Sequence, residues 1–90
     1  IMYDVRLLRE AEEDLDRLAK GNPKQARTIR MRLSWLGANA ETLQHVPLTG
    51  QWSGWCKRNI GAYRAIYQLN HRERLILVFR IRYRSEVYDL

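Results

Sequence analysis

Two helical stretches meet at Gly21-Asn22-Pro23, and this tripeptide restricts the possible folds more than any other feature of the chain. Glycine suits the end of one helix, asparagine caps the next through its side-chain oxygen, and proline fits a first turn, where its missing N–H costs nothing. Upstream, from about Arg9 to Lys20, Ala11, Leu15, Leu18 and Ala19 recur at helical spacing. Glu10, Glu12, Glu13 and Asp14 fall in the first turns and Lys20 at the end, the order a helix dipole favours. Downstream, Ala26, Ile29, Leu33 and Leu36 form a second stripe with Lys24, Arg27, Arg30 and Arg32 largely off it, and Gly37 is expected to stop the run. The two helices read as a hairpin.

The rest of the chain reads as strands. Tyr3 to Leu8 alternates, with Tyr3, Val5 and Leu7 on one face; Ile1, which precedes Met2, is left out of the fold reading. Residues 38–54 contain Pro47, Gly50 and Gly54 among polar residues and are expected to form a long connection without a strand of its own. Three strands follow, Trp55 to Ile60, Tyr63 to Leu69 and Leu75 to Tyr83, the last two joined by the polar turn Asn70-His71-Arg72-Glu73; Ser85 to Tyr88 is a further short strand candidate. The order β-α-α-β-β-β predicts a single α+β domain over residues 1–90, an antiparallel-dominated sheet with the helical hairpin on one face and the other face open to a ligand.

Ninety residues suffice for one small core. One cysteine, Cys56, cannot close an internal disulfide, and two histidines at unrelated positions supply no metal-ligand spacing, so neither a metal nor another cofactor is expected. No apolar run approaches the roughly 18 residues that span a bilayer, and none reads as a signal peptide, which predicts a cytoplasmic protein without a membrane partner. Charge is more telling: Trp55 to Leu90 carries eight Lys/Arg against three Asp/Glu, whereas residues 1–54 carry eight against seven. Nearly all of the net charge of +6 sits in the strand-rich part, and a one-sided cationic sheet wants a polyanion. In Leu75 to Tyr83, strict alternation puts Ile76, Val78, Arg80 and Arg82 on one side and Leu75, Leu77, Phe79, Ile81 and Tyr83 on the other, with the second side expected against the helices. Arg80 and Arg82 then face the open side with Lys57 and Arg64; the competing reading is a merely solvated polar face.

Pro47-Leu48-Thr49-Gly50, Gly54, Lys57, Gly61, Tyr63-Arg64, Tyr67 and Arg84-Ser85-Glu86-Val87-Tyr88 stand at the spacings of the RelE/ParE toxin superfamily, and with its strand-helix-helix start the chain resembles a RelE-type toxin throughout. The resemblance implies the toxin of a type II toxin–antitoxin pair. RelE-type members cleave mRNA in the ribosomal A site without a metal, and ParE-type members poison DNA gyrase. It implies a catalytic face of Lys57, Arg64, Arg82 and Tyr88, with Arg58, Arg80 and Arg84 as further RNA contacts. Cleavage by a ribose 2′-OH needs a proton acceptor, stabilisation of the leaving 5′ oxygen and positive charge for the transition state. Lys57 among cations suits the base, Arg64 the charge stabiliser, Arg82 the leaving-group contact and Tyr88 a nucleotide-stacking ring. The implied partners are a cognate antitoxin with acidic helical segments, mRNA, the ribosome, and operator DNA in a larger toxin–antitoxin complex.

The chain departs from the family pattern at Cys56, often aromatic there, and Asn59, often basic, while Trp55 and Arg58 each sit one place earlier. Alternation places Arg58 off the active face unless a bulge between Gly54 and Gly61 restores it. Arg82 stands where glycine is common and Tyr83 where histidine is common, which favours lysine/arginine chemistry. His45 and His71 are expected as surface residues, Cys56 as a small core residue, Trp35 and Trp52 as packing residues, and the Glu10–Asp14 acids as helix-dipole partners. Two alternatives to the ribonuclease stand: a ParE-like gyrase inhibitor, and a catalytically degenerate member that only binds protein or RNA.

Overall fold

A five-stranded mixed sheet carries two helices in this α+β domain, whose computed structural model describes residues 2–86. The elements in chain order are β1 (Asp4–Leu7), α1 (Arg9–Gly21), α2 (Pro23–Asn39), β2 (Val46–Pro47), a 3₁₀ turn (Gly50–Trp52), β3 (Cys56–Ile60), β4 (Tyr63–Asn70) and β5 (Leu75–Tyr83). Across the sheet they run β1-β5-β4-β3-β2. β5 pairs parallel with β1 and antiparallel with β4, and β3 pairs antiparallel with β4 and β2.

The helix boundary lies where the sequence places it. The Asn22 side-chain oxygen accepts from Gln25 N at 3.1 Å, and Asn22 N donates to Leu18 O at 2.7 Å, so one residue closes α1 and opens α2. Gly37 does not stop α2, which runs on to Asn39. It marks instead where α2 crosses β1: Tyr3 N donates to Gly37 O at 2.9 Å, and a Cβ at this position would lie 2.7 Å from both Tyr3 O and Val5 Cγ2. The backbone oxygen cannot give way without parting helix from strand. Gly37→Ala is therefore expected to cost about 1–3 kcal/mol, read in a thermal melt as a fall of roughly 4–8 °C per kcal/mol; an unchanged melting temperature would show that the crossing relaxes freely.

The core lies between sheet and hairpin. Ala11 and Leu15 of α1 and Ile29, Leu33 and Leu36 of α2 meet Ile60, Ala65, Tyr67, Ile76, Val78 and Ile81, all buried. Each large apolar side chain enclosed this way contributes about 1.5–3 kcal/mol.

Three further expectations change. The connection after α2 does contain a strand, the two-residue β2, which pairs Val46 with Lys57 and Pro47 with Cys56; proline is tolerated there because β2 is a sheet edge. Residues 84–86 form a turn rather than the start of a strand, and Val87 and Tyr88 lie outside the described residues. Most consequential is a break in the alternation of β5. Ile66 opposes Arg80 and Tyr67 opposes Val78, which leaves Phe79 as the extra residue of a bulge. Ile76 and Val78 thus face the helices, contrary to the strict period-two reading, and after the bulge Ile81 does so as well.

Candidate functional site

Strand pleating determines which side chains share the face turned from the helices. On β3, Cys56 packs on the core and Ile60 lies within it, so Lys57 and Asn59 point the other way. On β4, Ala65 and Tyr67 are core and Arg64 and Ile66 are their far-side neighbours; on β5, Ile81 is core and Arg82 alternates with it. The register then aligns Asn59, Arg64 and Arg82 in one row across three strands, with Lys57, Ile66 and Arg80 in the row two residues along. Lys57, Arg64 and Arg82 stand on one face, Arg64 directly opposite Arg82 and Lys57 one row along on β3. Arg64 Nε donates to Asn59 Oδ1 at 2.8 Å, which fixes the plane of its guanidinium. Arg84, whose backbone N donates to Ala62 O at 3.0 Å, shares a shallow hollow with Arg64, Tyr83 and Ser85.

The other residues singled out from the sequence have different surroundings. Arg58 is on the helix-facing side: β3 pairs with β4 without a shift, so no bulge turns it round, and its guanidinium donates to Gln44 O at 2.7 Å. Arg80 is committed to α1. Its Nε and second terminal nitrogen reach the Asp14 carboxylate at 2.9 and 3.1 Å, and Ile81 N donates to the same carboxylate at 2.9 Å. Because β1 pairs with β5 only from Leu75 to Val78, the edge of β5 beyond is open, and buried Asp14 closes it. That bidentate pairing raises the Arg80 pKa further above its already high value. Arg82 makes a lighter contact, to Glu86 at 3.0 Å, with both side chains partly exposed. Tyr88 lies outside the described residues.

Several features were not anticipated. Asp14 is more than a dipole partner; its spacing from Ala11 and Leu18 on the apolar stripe is the sequence signal for burial. His45 is bonded on both sides, Nδ1 to the Tyr67 hydroxyl at 2.6 Å and Nε2 to Ala40 O at 2.8 Å, and His71 Nδ1 meets the Tyr3 hydroxyl at 2.6 Å. His45 is thus no ordinary surface histidine, whereas His71 stays exposed in its turn as expected. Tyr67 is pushed up in pKa by burial, which the neighbouring Arg58 partly opposes. Trp35 is 45% exposed with Arg32 over its ring, whereas Trp52 packs on Trp55 and Phe79 as expected. Burial raises the Cys56 thiol, which keeps it protonated and suits a packing role.

On the opposite, helix-side face Tyr63 packs against the core and stacks on Tyr83 at 4.6 Å. Desolvation first, then the hydrogen bond and charge of Tyr83 and the charge of Glu86, push Tyr63 from 10.0 up to about 12. The folded state holds the neutral phenol, so its stabilising effect is complete below pH 10 and is lost as pH rises toward 12. Alkaline denaturation followed by circular dichroism should show stability falling across that window, and Tyr63→Phe should remove part of the fall; identical wild-type and variant profiles would refute the assignment.

Among the described residues no group of three or more His, Cys, Asp or Glu is placed to hold a metal ion, and no helix is long and apolar enough to cross a membrane. Residues 5–88 match the family model of the ParE toxin of type II toxin–antitoxin systems. The chain belongs to this toxin family, within the RelE/ParE superfamily. Solved structures similar to this ParE-family toxin include the RelBE2 toxin–antitoxin complex from Mycobacterium tuberculosis, at 21% identity with 94% of each chain covered and a TM-score of 0.81. YafQ from E. coli is 19% identical over 96% of this chain and 98% of its own, with a TM-score of 0.73. In the YoeB–YefM complex from Staphylococcus aureus the matching chain is 18% identical, covering 92% of the toxin and 98% of that chain, with a TM-score of 0.71. At these identities the likeness establishes the shared fold. No curated protein sequence matches the toxin.

Proposed function

We propose that this toxin is a metal-independent endoribonuclease that cleaves mRNA in the ribosomal A site in the cytoplasm, and so stops translation. The observation that carries this reading is the register that brings Lys57, Arg64 and Arg82 to one face of the sheet. A backbone phosphate seated on the row would meet Arg64, whose fixed guanidinium stabilises the charge that develops on the phosphoryl oxygens. Lys57 takes the 2′-OH proton as that oxygen attacks phosphorus; the bond to the 5′ oxygen breaks, leaving a 2′,3′-cyclic phosphate. Arg82 hydrogen-bonds the departing oxygen, which completes its proton from water. Its pairing with Glu86 is no obstacle, since half-exposed ion pairs are worth only about 0–1 kcal/mol and a doubly bridging phosphate competes well. Arg84 extends the phosphate track and Tyr88 stacks a base, while Arg80 serves β5 through Asp14.

The cognate antitoxin, in this reading, lays acidic helical segments over the cationic face, and the pair binds operator DNA as a larger complex. A second reading, gyrase inhibition, is favoured by the family model, which is that of ParE. Primer extension on a defined mRNA held on purified ribosomes, beside a free-RNA control and a gyrase supercoiling assay, separates the two. Cuts on ribosomes with normal supercoiling are expected; intact mRNA under every condition would overturn the ribonuclease reading, and blocked supercoiling would then support the second.

A further inference from the structure

The face turned from the helices has two ends, and the ribonuclease reading uses only the cationic one. Just before β3, Trp55 alternates with Cys56 onto the side of Lys57 and Asn59, and on β5 Phe79 alternates with buried Val78 onto the side of Arg82. Trp52 completes the group, its ring centroid 6.3 Å from that of Trp55 and 5.9 Å from that of Phe79, with Trp55 and Phe79 5.4 Å apart. Both indoles are half-buried rather than enclosed. Ile66, in the row of Lys57 and Arg80, is fully buried although it lies outside the helix-side core.

The loop that presents Trp52 is tied down. Leu48 N donates to Trp55 O at 2.8 Å, Ser53 N to Gly50 O at 3.1 Å and Trp55 N to Trp52 O at 3.1 Å, and Gly54 turns the chain at φ +96°, a conformation other residues rarely adopt. A partly exposed aromatic ring held this way loses little further freedom when a flat partner stacks on it. From Trp55 to the Asn59–Arg64–Arg82 row is four strand residues, about 13 Å, a span that a short run of single-stranded nucleic acid bridges.

We propose that the Trp52–Trp55–Phe79 cluster is a nucleobase subsite for single-stranded RNA, with Trp52 as the stacking platform for a base flanking the phosphate at Arg64 and Arg82. The phosphate position rests on the ribonuclease reading; the base site rests on the aromatic geometry. Stacking on an aromatic face accepts any base, so the subsite adds affinity and register rather than sequence choice.

The test uses the intact toxin with a short 2′-O-methylated single-stranded oligoribonucleotide, which cannot be cleaved, and the same oligomer made abasic. The base-bearing oligomer should quench tryptophan fluorescence and bind roughly tenfold more tightly than the abasic one. Trp52→Ala should erase that difference and Trp52→Phe should keep most of it, with circular dichroism checking the fold. Equal affinity of the wild-type toxin for the two oligomers would overturn the proposal even were Trp52→Ala not to fold, as would an undiminished preference in a folded Trp52→Ala. Base-dependent binding without any cleavage on ribosomes would sink the ribonuclease reading alone, and cleavage without base-dependent binding would sink the subsite alone.

Discussion

Replacing Asp14 by alanine is expected to destabilise the toxin by about 3–5 kcal/mol, the range seen when one partner of a buried ion pair is removed. The 2%-exposed carboxylate takes two hydrogen bonds from Arg80 and one from Ile81 N, so its loss strands a mostly buried guanidinium and a backbone donor together. A domain of this size holds about 5–15 kcal/mol in all, so the change removes a large share of it. Arg17, at 3.3 Å and 70% exposed, adds little to the balance. Asp14→Asn should lose less, since its amide oxygen still accepts from Ile81 N. Urea denaturation measures the difference; a loss under 1 kcal/mol for Asp14→Ala would show that water replaces the carboxylate and that the β5 edge does not depend on it.

In the ribonuclease reading, Arg64→Ala should lower single-turnover cleavage on ribosomes by about 10²–10³-fold, the effect of removing one preorganised charge donor from a transition state. The fold should be unaffected, because the Arg64 side chain points away from the helix-side core. Arg64→Lys should recover only part of the loss. A lysine carries the charge, but as a single point it cannot hold Asn59 and present two parallel donors to a phosphate as the guanidinium does. Equal rates for wild type and Arg64→Ala would remove Arg64 from the chemistry.

Local chemistry was the readable part of this sequence. The Gly21-Asn22-Pro23 junction, both helical stripes and the strands of the antiparallel ladder depend on residues a few positions apart, and they lie close to where spacing puts them. The reading failed where distant segments decide the outcome. Gly37 looks like a helix stop in isolation, but β1 crosses α2 there, and the close contact selects glycine. The bulge at Phe79 arises from the pairing of β4 with β5, and strict alternation assigns the wrong face to Ile76, Val78 and Phe79, while Ile81 beyond the bulge lies on the helix side as expected. Arg82 nevertheless reaches the far face, though as a companion of Phe79 rather than of Val78. Asp14 was visible as an acid and as a stripe position, yet only the topology supplies the open strand edge that makes its burial favourable. The bonds of His45 and His71 join the chain across 22 and 68 residues, separations that no local pattern records.

The parallel pairing of β1 with β5 also bears on when the protein acquires its shape during synthesis. Among the described strands the first, β1, pairs only with the last, β5, which sits inside the sheet between β1 and β4. Contacts of such long sequence separation close late, because the loop entropy must be lost before they form. A nascent chain that has released its helices and β3 still lacks Arg82 and one wall of the Arg64 row. In the ribonuclease reading, a partly made chain therefore holds Arg64 without its leaving-group companion, and the cationic row is complete only once β5 has docked between β1 and β4.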